Sequence, residues 1–359
     1  MRTPLQSAAS RQTFGRTAKI FASGAFLLCV ALLPTRVAAQ GSDGGAAEVD
    51  DRPPRCRIIP AADKSLQILV DGQLRAAWHF PTDVPRPFLY PLNGPSGESV
   101  TRMGHPGAPD HDHHRSVWFA HFKVDGYDFW SENGETQIEQ QQWYALEDGD
   151  EAARLAVALR WFAPDQTPLV DQDVIMELRP LGKGETALEI QTRLRPAAGR
   201  ELTVLQKTNF GLLACRLSKT ISQVFGRGQL TADNGDQGEP ALFAKPHRWV
   251  DYSGASPLYE DGQARWFREG LTYFDHPSNP GFPNTWHVRQ DGWMCASPTM
   301  NDDIALTTDA PLTLRYLLYV HAGGYDEGAA QNMFDQFRDS APLSVIRSEK
   351  PHHRYQIVR

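Results

Sequence analysis

The sequence is poor in cysteine, in long apolar runs and in excess basic charge, and each shortage argues against a class of protein. Only three cysteines follow residue 39, and no pair has the CxxC spacing, which disfavours a zinc site built from thiolates. An odd number permits at most one disulfide, and we interpret Cys56, Cys215 and Cys295 as small buried apolar residues. No run of 18 apolar residues occurs after residue 39, so no membrane-spanning helix is expected in the mature chain.

The first 39 residues have the composition of a signal peptide. They contain five basic and no acidic side chains, an apolar stretch "IFASGAFLLCVALLP" (20–34) and a small-residue end "VAA" (37–39), as signal peptides do. Removal of residues 1–39 would change the net charge from −7 to −12. We therefore predict a periplasmic or secreted protein, and this acidic balance disfavours nucleic acid as a partner.

Short apolar runs separated by tight-turn sequences fill the rest of the chain. In "SLQILVDGQLRAAWHF" (65–80), Asp71-Gly72 separates two strand-like runs, the typical sequence of a two-residue β-hairpin. Similar runs occur at 154–163, 173–196, 202–215 and 312–323. The pattern predicts an all-β fold, a large antiparallel β-sandwich or super-sandwich. Residues 40–55 are predicted to be a disordered linker, and residues 56–359 one β-sandwich domain.

A single segment has helical periodicity. In "DEGAAQNMFDQFRDSAP" (326–342), Ala330, Met333, Phe334 and Phe337 are spaced as on one helix face, and Pro342 ends the run. This spacing predicts one short amphipathic helix near the C-terminus.

Three segments are unusually rich in both polar and aromatic residues. The first is "PDHDHHRSVWFAHFKVDGYDFW" (109–130), preceded by 86–107; the second is "KPHRWVDYSG" (245–254); the third is "GLTYFDHPSNPGFPNTWHVRQDGW" (270–293). Loops that carry such side chains commonly serve a site. The alternative is that the histidines only satisfy backbone groups at a corner of a sheet.

A metal site is one hypothesis for the histidines. On a strand, His111 and His113 would lie on one face and His114 on the other. His111, His113 and His121 could then form a three-histidine site for a divalent metal in a hydrolase or oxygenase. Arg115 within the cluster opposes a dication.

Acid–base chemistry on a carbohydrate is the preferred hypothesis. Histidine titrates near neutral pH, where proton transfer at a sugar is needed, and a carboxylate such as Asp275 would orient an imidazole or serve as base. Aromatic rings suit the apolar faces of sugars, and arginines can bind hydroxyls or a carboxylate.

The same segments resemble a known family. "FLYPLNGPSGESVTR", "DHDHHRSVWFAHFKVDGYDFW", "WVDYSG" and "FDHPSNPGFPNTWHVR" resemble the motifs of exported bacterial proteins labelled "methane oxygenase PmoA-like", over roughly residues 58 to 350. The methane-oxidising membrane subunit needs spanning helices that this chain lacks, so that activity is not expected here.

A more distant similarity is to the aldose-epimerase (galactose mutarotase-like) super-sandwiches. The "YPLNGP" segment followed by a histidine-rich loop is similar to their layout. That similarity implies His113 or His121 as the general acid and Asp275 as the base. The late catalytic glutamate of the epimerases has no counterpart in the sequence.

We therefore predict an exported protein that binds a carbohydrate or another small polar substrate, and acts on it as an enzyme without a required cofactor. The residues predicted to carry proton transfer in one cleft are His113, His114, His121, Asp275, His276 and His287. Those predicted to bind the substrate are Arg102, Arg115, Trp118, Trp130, Tyr252, Asn279, Trp286 and Arg289. The alternatives are the metal-dependent enzyme and a non-catalytic glycan-binding module.

Overall fold

The fold follows from short strands joined by tight turns. The computed structural model describes residues 52–359. The predicted signal peptide, and all of the predicted linker up to Asp51, lie outside the described residues. Antiparallel strands make up most of the regular secondary structure of the described part, so the prediction of an all-β sandwich is confirmed.

The first ten strands are β1 (Cys56–Ala61), β2 (Ser65–Val70), β3 (Gln73–His79), β4 (Phe88–Leu92), β5 (Val117–Ala120), β6 (Gln137–Glu147), β7 (Ala153–Phe162), β8 (Pro168–Gly182), β9 (Glu185–Pro196) and β10 (Leu202–Leu205). The next ten are β11 (Leu212–Arg216), β12 (Gln229–Ala232), β13 (Trp249–Glu260), β14 (Gln263–Asp275), β15 (Trp286–Arg289), β16 (Trp293–Ala296), β17 (Ile304–Thr307), β18 (Leu312–Ala322), β19 (Ser344–Arg347) and β20 (Tyr355–Val358). The helices are α1 (Gln223–Gly226), α2 (Glu239–Leu242) and α3 (Glu327–Asp339).

Two eight-stranded antiparallel sheets form the sandwich. Sheet 1 has the strand order β1-β2-β3-β4-β5-β11-β16-β15, and sheet 2 has the order β12-β13-β14-β18-β9-β8-β7-β6. Two short pairs, β10 with β17 and β19 with β20, complete the sheets of the described residues. Consecutive strands are mostly neighbours, as expected for hairpin connections.

The Asp71-Gly72 hairpin turn lies where the sequence predicts it. Asp71 and Gly72 have φ angles of 51° and 79° and join β2 to β3. Lys183 and Gly184, with φ angles of 51° and 80°, join β8 to β9 in the same way. Both central residues of such a hairpin turn need a positive φ, which glycine adopts without a steric penalty.

The core lies between the two sheets. Phe119 of sheet 1 packs edge-on against Trp161 of sheet 2 at 6.3 Å between ring centroids. Trp286 of sheet 1 meets Tyr273 of sheet 2 at 4.9 Å. Removing a side chain the size of phenylalanine from water stabilises the fold by about 1.5–3 kcal/mol, so these contacts hold the sheets together.

Helix α3 covers the outer face of sheet 2. It begins at the N-cap Asp326, whose carboxylate accepts a hydrogen bond from the backbone N–H of Ala329. Its buried residues are Ala330, Met333, Phe334 and Phe337, the four that the periodicity predicts. The prediction of a short amphipathic helix is confirmed. No helix of the described residues is both long and apolar enough to cross a membrane.

The cysteines of the described residues behave as apolar core residues. Cys56, Cys215 and Cys295 are buried and form no disulfide with one another. Burial raises the pKa of the Cys295 thiol to about 12, which keeps it protonated and unreactive.

Candidate functional site

A pocket lies on the face of sheet 1 that points away from sheet 2. Across the edge strands, Arg289 of β15 pairs with Trp293 of β16, which in turn pairs with Arg216 of β11. Cross-strand partners share a face of the sheet, and residues at odd spacing lie on opposite faces. Since Trp286 of β15 packs inward against Tyr273 of sheet 2, Arg289, Trp293 and Arg216 face outward.

The cavity above this face has a volume of about 380 Å³, within the size range of small-molecule sites. Histidines, aromatic rings and a few charged side chains form its wall: His111, His113, His114, Phe122, Trp130, Ser131, Phe210, Arg216, His287, Arg289, Asp291 and Trp293. The two polar segments that the sequence singled out near residues 111 and 287 therefore meet at one pocket.

The histidine-rich segment is a turn, not a strand. Residues Pro109–His111 form a 3-10 turn, with the backbone N–H of His111 bonded to the carbonyl of Ala108 and that of His114 to the carbonyl of His111. The prediction that His114 would face away from His111 and His113 is wrong, because strand alternation does not apply in a turn. All three rings line the pocket, and those of His113 and His114 lie 4.4 Å apart.

His114 is the most deeply buried imidazole of the pocket wall. It is 5 % exposed, stacks on Trp118 at 5.5 Å and contacts Trp293 at 4.8 Å. Burial, with the nearby Arg216 guanidinium, holds the pKa of His114 far below its ordinary value. Its ring is therefore neutral. The pKa of His113 is also lowered, first by burial and then by Arg86.

His287 has a fixed tautomer. Its Nδ1 lies 2.9 Å from the carbonyl oxygen of Asn209, and because a carbonyl only accepts, Nδ1 carries the proton. Burial and the neighbouring Arg289 lower the pKa of His287 to about 4. The ring is thus neutral near pH 7 with an unprotonated Nε2, which makes no hydrogen bond within the described residues. That nitrogen is a proton acceptor in the wall of the pocket.

Asp291 organises the charged part of the wall. Its carboxylate accepts two hydrogen bonds from Arg216, at 2.7 and 3.2 Å, and one from Nε2 of His105 at 2.8 Å. Burial pushes the pKa of Asp291 upward, but Arg216 and His105 outweigh it and hold the pKa below its usual value. Asp291 is therefore ionised, and both of its carboxylate oxygens accept hydrogen bonds from Arg216 or His105.

Arg289 is more open. It is 41 % exposed, and its Nη1 donates to Glu239 at 2.7 Å while its guanidinium lies 4.4 Å from the ring centre of Phe243. Arg115 forms a two-point ion pair with Glu132, which also pairs with the fully buried Arg86. Arg115 therefore stabilises the loop beneath the histidines and does not line the pocket.

The aromatic side chains of the pocket wall pack directly on a buried aromatic side chain beneath them. Trp130 and Trp293 line the pocket and lie 5.6 Å apart, and Trp118 supports both from below at 5.3 and 5.5 Å. Phe210 contacts Trp130 at 4.9 Å. Of the tryptophans predicted to bind substrate, Trp130 is placed at the cavity, and Trp118 lies one layer deeper.

Asp275 and His276 lie outside the pocket, contrary to the predicted single cleft. Asp275 ends β14 in sheet 2 and is fully buried by Asn279 and Asn284, whose amides bond its carboxylate. His276 contacts Phe337 of α3. The chain passes from sheet 2 to sheet 1 between residues 275 and 286, so this segment is divided between two faces of the molecule. Asn279 fastens the turn to β18.

Four other predicted residues are also part of the scaffold. His121 is fully buried, and its Nε2 donates to the carbonyl of Gln206 at 2.7 Å. The hydroxyl of Tyr252 bonds the carbonyl of Gln290, and the indole N–H of Trp286 bonds the carbonyl of His247. Arg102 lies behind Arg216 and donates to the carbonyls of Gly104 and Asp291.

Several residues of the site were missed from the sequence. Arg216 ends the apolar strand "LLACR". A single arginine at the end of an otherwise apolar run was the one indication in the sequence that it belongs to a site. Asp291 belongs to "QDGW", whose Asp-Gly pair marks the β15–β16 turn. Phe210 and Phe122 have no distinctive local pattern, since aromatic residues are common throughout a β-sandwich.

The three-histidine metal hypothesis is not supported by the geometry. His121 bonds a backbone carbonyl and does not line the pocket with His111 and His113. Among the residues that the structure describes, no group of three or more His, Cys, Asp or Glu side chains is arranged to hold a metal ion.

Comparison with known proteins gives a family but no activity. No curated protein matches the chain. A family model matches residues 65–335 and thus includes every residue that lines the pocket. The chain belongs to this family, a family of unknown function (DUF6807).

Proposed function

We propose that this protein is exported and binds a carbohydrate in the pocket on the outer face of sheet 1, where it acts on the sugar by proton transfer. The observation that carries the proposal is His287. A buried neutral imidazole with its proton fixed on Nδ1 offers Nε2 as a base inside a cavity of suitable size. Export rests on the predicted signal peptide of residues 1–39.

The wall of the pocket suits a sugar ring. Trp130, Trp293 and Phe210 line the pocket and offer aromatic surface to the apolar C–H groups of a sugar. Arg289 and the Arg216–Asp291 pair offer donors and acceptors for hydroxyls. A few directional polar groups in a mostly aromatic wall are typical of ligand sites.

The proposal moves the base from Asp275 to His287. In the aldose-epimerase likeness a carboxylate is the base, but Asp275 is enclosed by amides away from the cavity and Asp291 is engaged by Arg216 and His105. His113, on the histidine-rich turn, is the second imidazole available to return a proton to the sugar.

Two readouts test the proposal on the full mature chain. A panel of monosaccharides is titrated while tryptophan fluorescence is recorded, because Trp130 and Trp293 line the cavity. Anomer exchange of each sugar that binds is then followed by NMR. We expect quenching and catalysed exchange for at least one sugar.

His287→Asn is the informative variant, because the asparagine amide N–H replaces Nδ1 toward Asn209 while the base is lost. Its matched control is His121→Gln, a second buried histidine that donates to a backbone carbonyl but lies outside the cavity. Loss of a general base lowers the rate by about 100-fold or more, with binding retained. Binding without any catalysed exchange in the wild type would overturn the enzymatic part and leave a glycan-binding module. No response to any sugar would overturn the whole proposal.

A further inference from the structure

The pocket wall holds more positive than negative charge. Its lining includes two guanidinium groups, Arg216 and Arg289, but one carboxylate, Asp291, while Glu239 pairs with Arg289 from outside the lining. The buried lining histidines do not alter this count, since the pKa values of His114 and His287 lie well below neutrality. The excess is local, because the chain as a whole has a net charge of −7.

A third guanidinium stands behind the wall. Arg102 donates to two backbone carbonyls and forms no ion pair within the described residues. It lies close enough to Arg216 for their like charges to interact, while burial lowers the pKa of Arg102 to about 10, so it stays charged near pH 7. Arg102 and Arg216 therefore have only the carboxylate of Asp291 near them as a counter-charge.

Arg289 has free hydrogen-bonding capacity at the same wall. One of its five N–H groups is directed to Glu239, and no other hydrogen bond from this guanidinium is formed within the described residues. A guanidinium with adjacent free N–H groups matches the two oxygens of a carboxylate. Its partial exposure at the cavity lets a ligand reach it.

We propose that the sugar bound here is an acid, a hexuronic acid or the uronic end of an acidic glycan, with its carboxylate held by Arg289 in the field of Arg216 and Arg102. This proposal rests on the proposed function and specifies its substrate class. An anionic ligand would balance the excess charge of the wall. The remaining aromatic surface would contact the sugar ring.

The test compares pairs of sugars that differ at carbon 6 alone, galacturonate with galactose and glucuronate with glucose, by fluorescence titration of the full mature chain. We expect tighter binding of one uronate than of its neutral partner. Its affinity should fall as sodium chloride is raised, because salt screens charge attraction. The affinity of the neutral sugar should not change with salt.

Three variants locate the effect. Arg289→Gln removes a charge-assisted hydrogen bond of about 1.5–3 kcal/mol, which weakens uronate binding roughly 10- to 150-fold. It weakens the neutral sugar less, because the glutamine amide still donates to a hydroxyl. Glu239→Gln removes the competing carboxylate and should tighten uronate binding. Arg160→Gln is the matched control, since Arg160 is 36 % exposed and pairs with one carboxylate, Asp171, away from the pocket. It should change neither affinity.

The outcomes separate this inference from the proposed function. Equal affinity for uronate and neutral sugar, or a uronate affinity that Arg289→Gln leaves unchanged, would overturn the inference while the carbohydrate site stands. Binding of neither member of any pair would overturn the uronate inference, and a further lack of response to the full monosaccharide panel would overturn the proposed function too.

Discussion

Asp275 provides the sharpest prediction of the structure, because its surroundings assign it to stability. Its Oδ1 accepts a hydrogen bond from Asn279 at 2.7 Å, and its Oδ2 accepts two from Asn284, at 2.9 Å from the backbone and 3.0 Å from the side chain. Asn279 cannot rotate its amide, because that amide donates to the backbone carbonyl of Arg315 and accepts from the backbone N–H of the same residue. In Asp275→Asn, the NH2 group of the new amide would face one of these N–H groups, so that two hydrogen-bond donors would oppose each other.

The magnitude follows from burial. Burial raises the pKa of Asp275 from 3.8 to about 6 although the hydrogen bonds oppose it, and two units correspond to about 3 kcal/mol. The folded state then binds the proton more tightly than the unfolded state. Stability contributed by this carboxyl is therefore highest below about pH 4 and falls by about 3 kcal/mol as pH rises through 6. Asparagine does not titrate, and the unfolded carboxyl is already partly ionised at pH 4, so the destabilisation caused by Asp275→Asn should be roughly 2 kcal/mol smaller at pH 7.5 than at pH 4.

The assay is urea denaturation of both proteins at several pH values between 4 and 7.5, with sugar binding measured at pH 7.5. Free energies of unfolding come from linear extrapolation, and equal slopes show that the two unfolding transitions are comparable. A pH-independent difference between the proteins would refute the argument from burial. Loss of sugar binding in a fully stable Asp275→Asn protein would refute the placement of Asp275 outside the site.

Two further predictions concern buried groups far from the pocket. His321 donates from Nε2 to Asp251 and from Nδ1 to the carbonyl of Ala322, and although burial opposes the charge, Asp251 raises the pKa of His321. His321→Gln should therefore destabilise the protein in denaturation by about 3 kcal/mol, most strongly below pH 6.5 and less as pH rises through the folded-state pKa. A difference that does not change with pH would contradict a buried imidazolium. A Cβ at Gly94 would lie 2.3 Å from the carboxylate of Glu269, so Gly94→Ala should cost about 1–3 kcal/mol in the same assay, and a neutral effect would show that this buried carboxylate can move.

Local patterns in the sequence were enough for much of the fold. Apolar runs with alternating periodicity and the Asp71-Gly72 turn predicted strands and hairpins, because these depend on the conformations of adjacent residues. The i, i+3, i+4, i+7 spacing from Ala330 to Phe337 predicted helix α3 for the same reason. The sequence also singled out the histidine-rich segment, but residue type did not set its titration, because burial in the folded chain lowers the pKa values of His113 and His114.

Tertiary structure decided which polar residues share a surface. The sequence favoured the Asp-His pair at 275–276 over the Asp-Gly pair at 291–292. The chain crosses from sheet 2 to sheet 1 between them, so Asp275 is enclosed by amides and Asp291 reaches the pocket. Arg216 joins it from a strand 75 residues away. The sequence by itself determined the strands and the turns, whereas the pairing of distant strands determined the site, because a side chain's face and neighbours are fixed by register and sheet order.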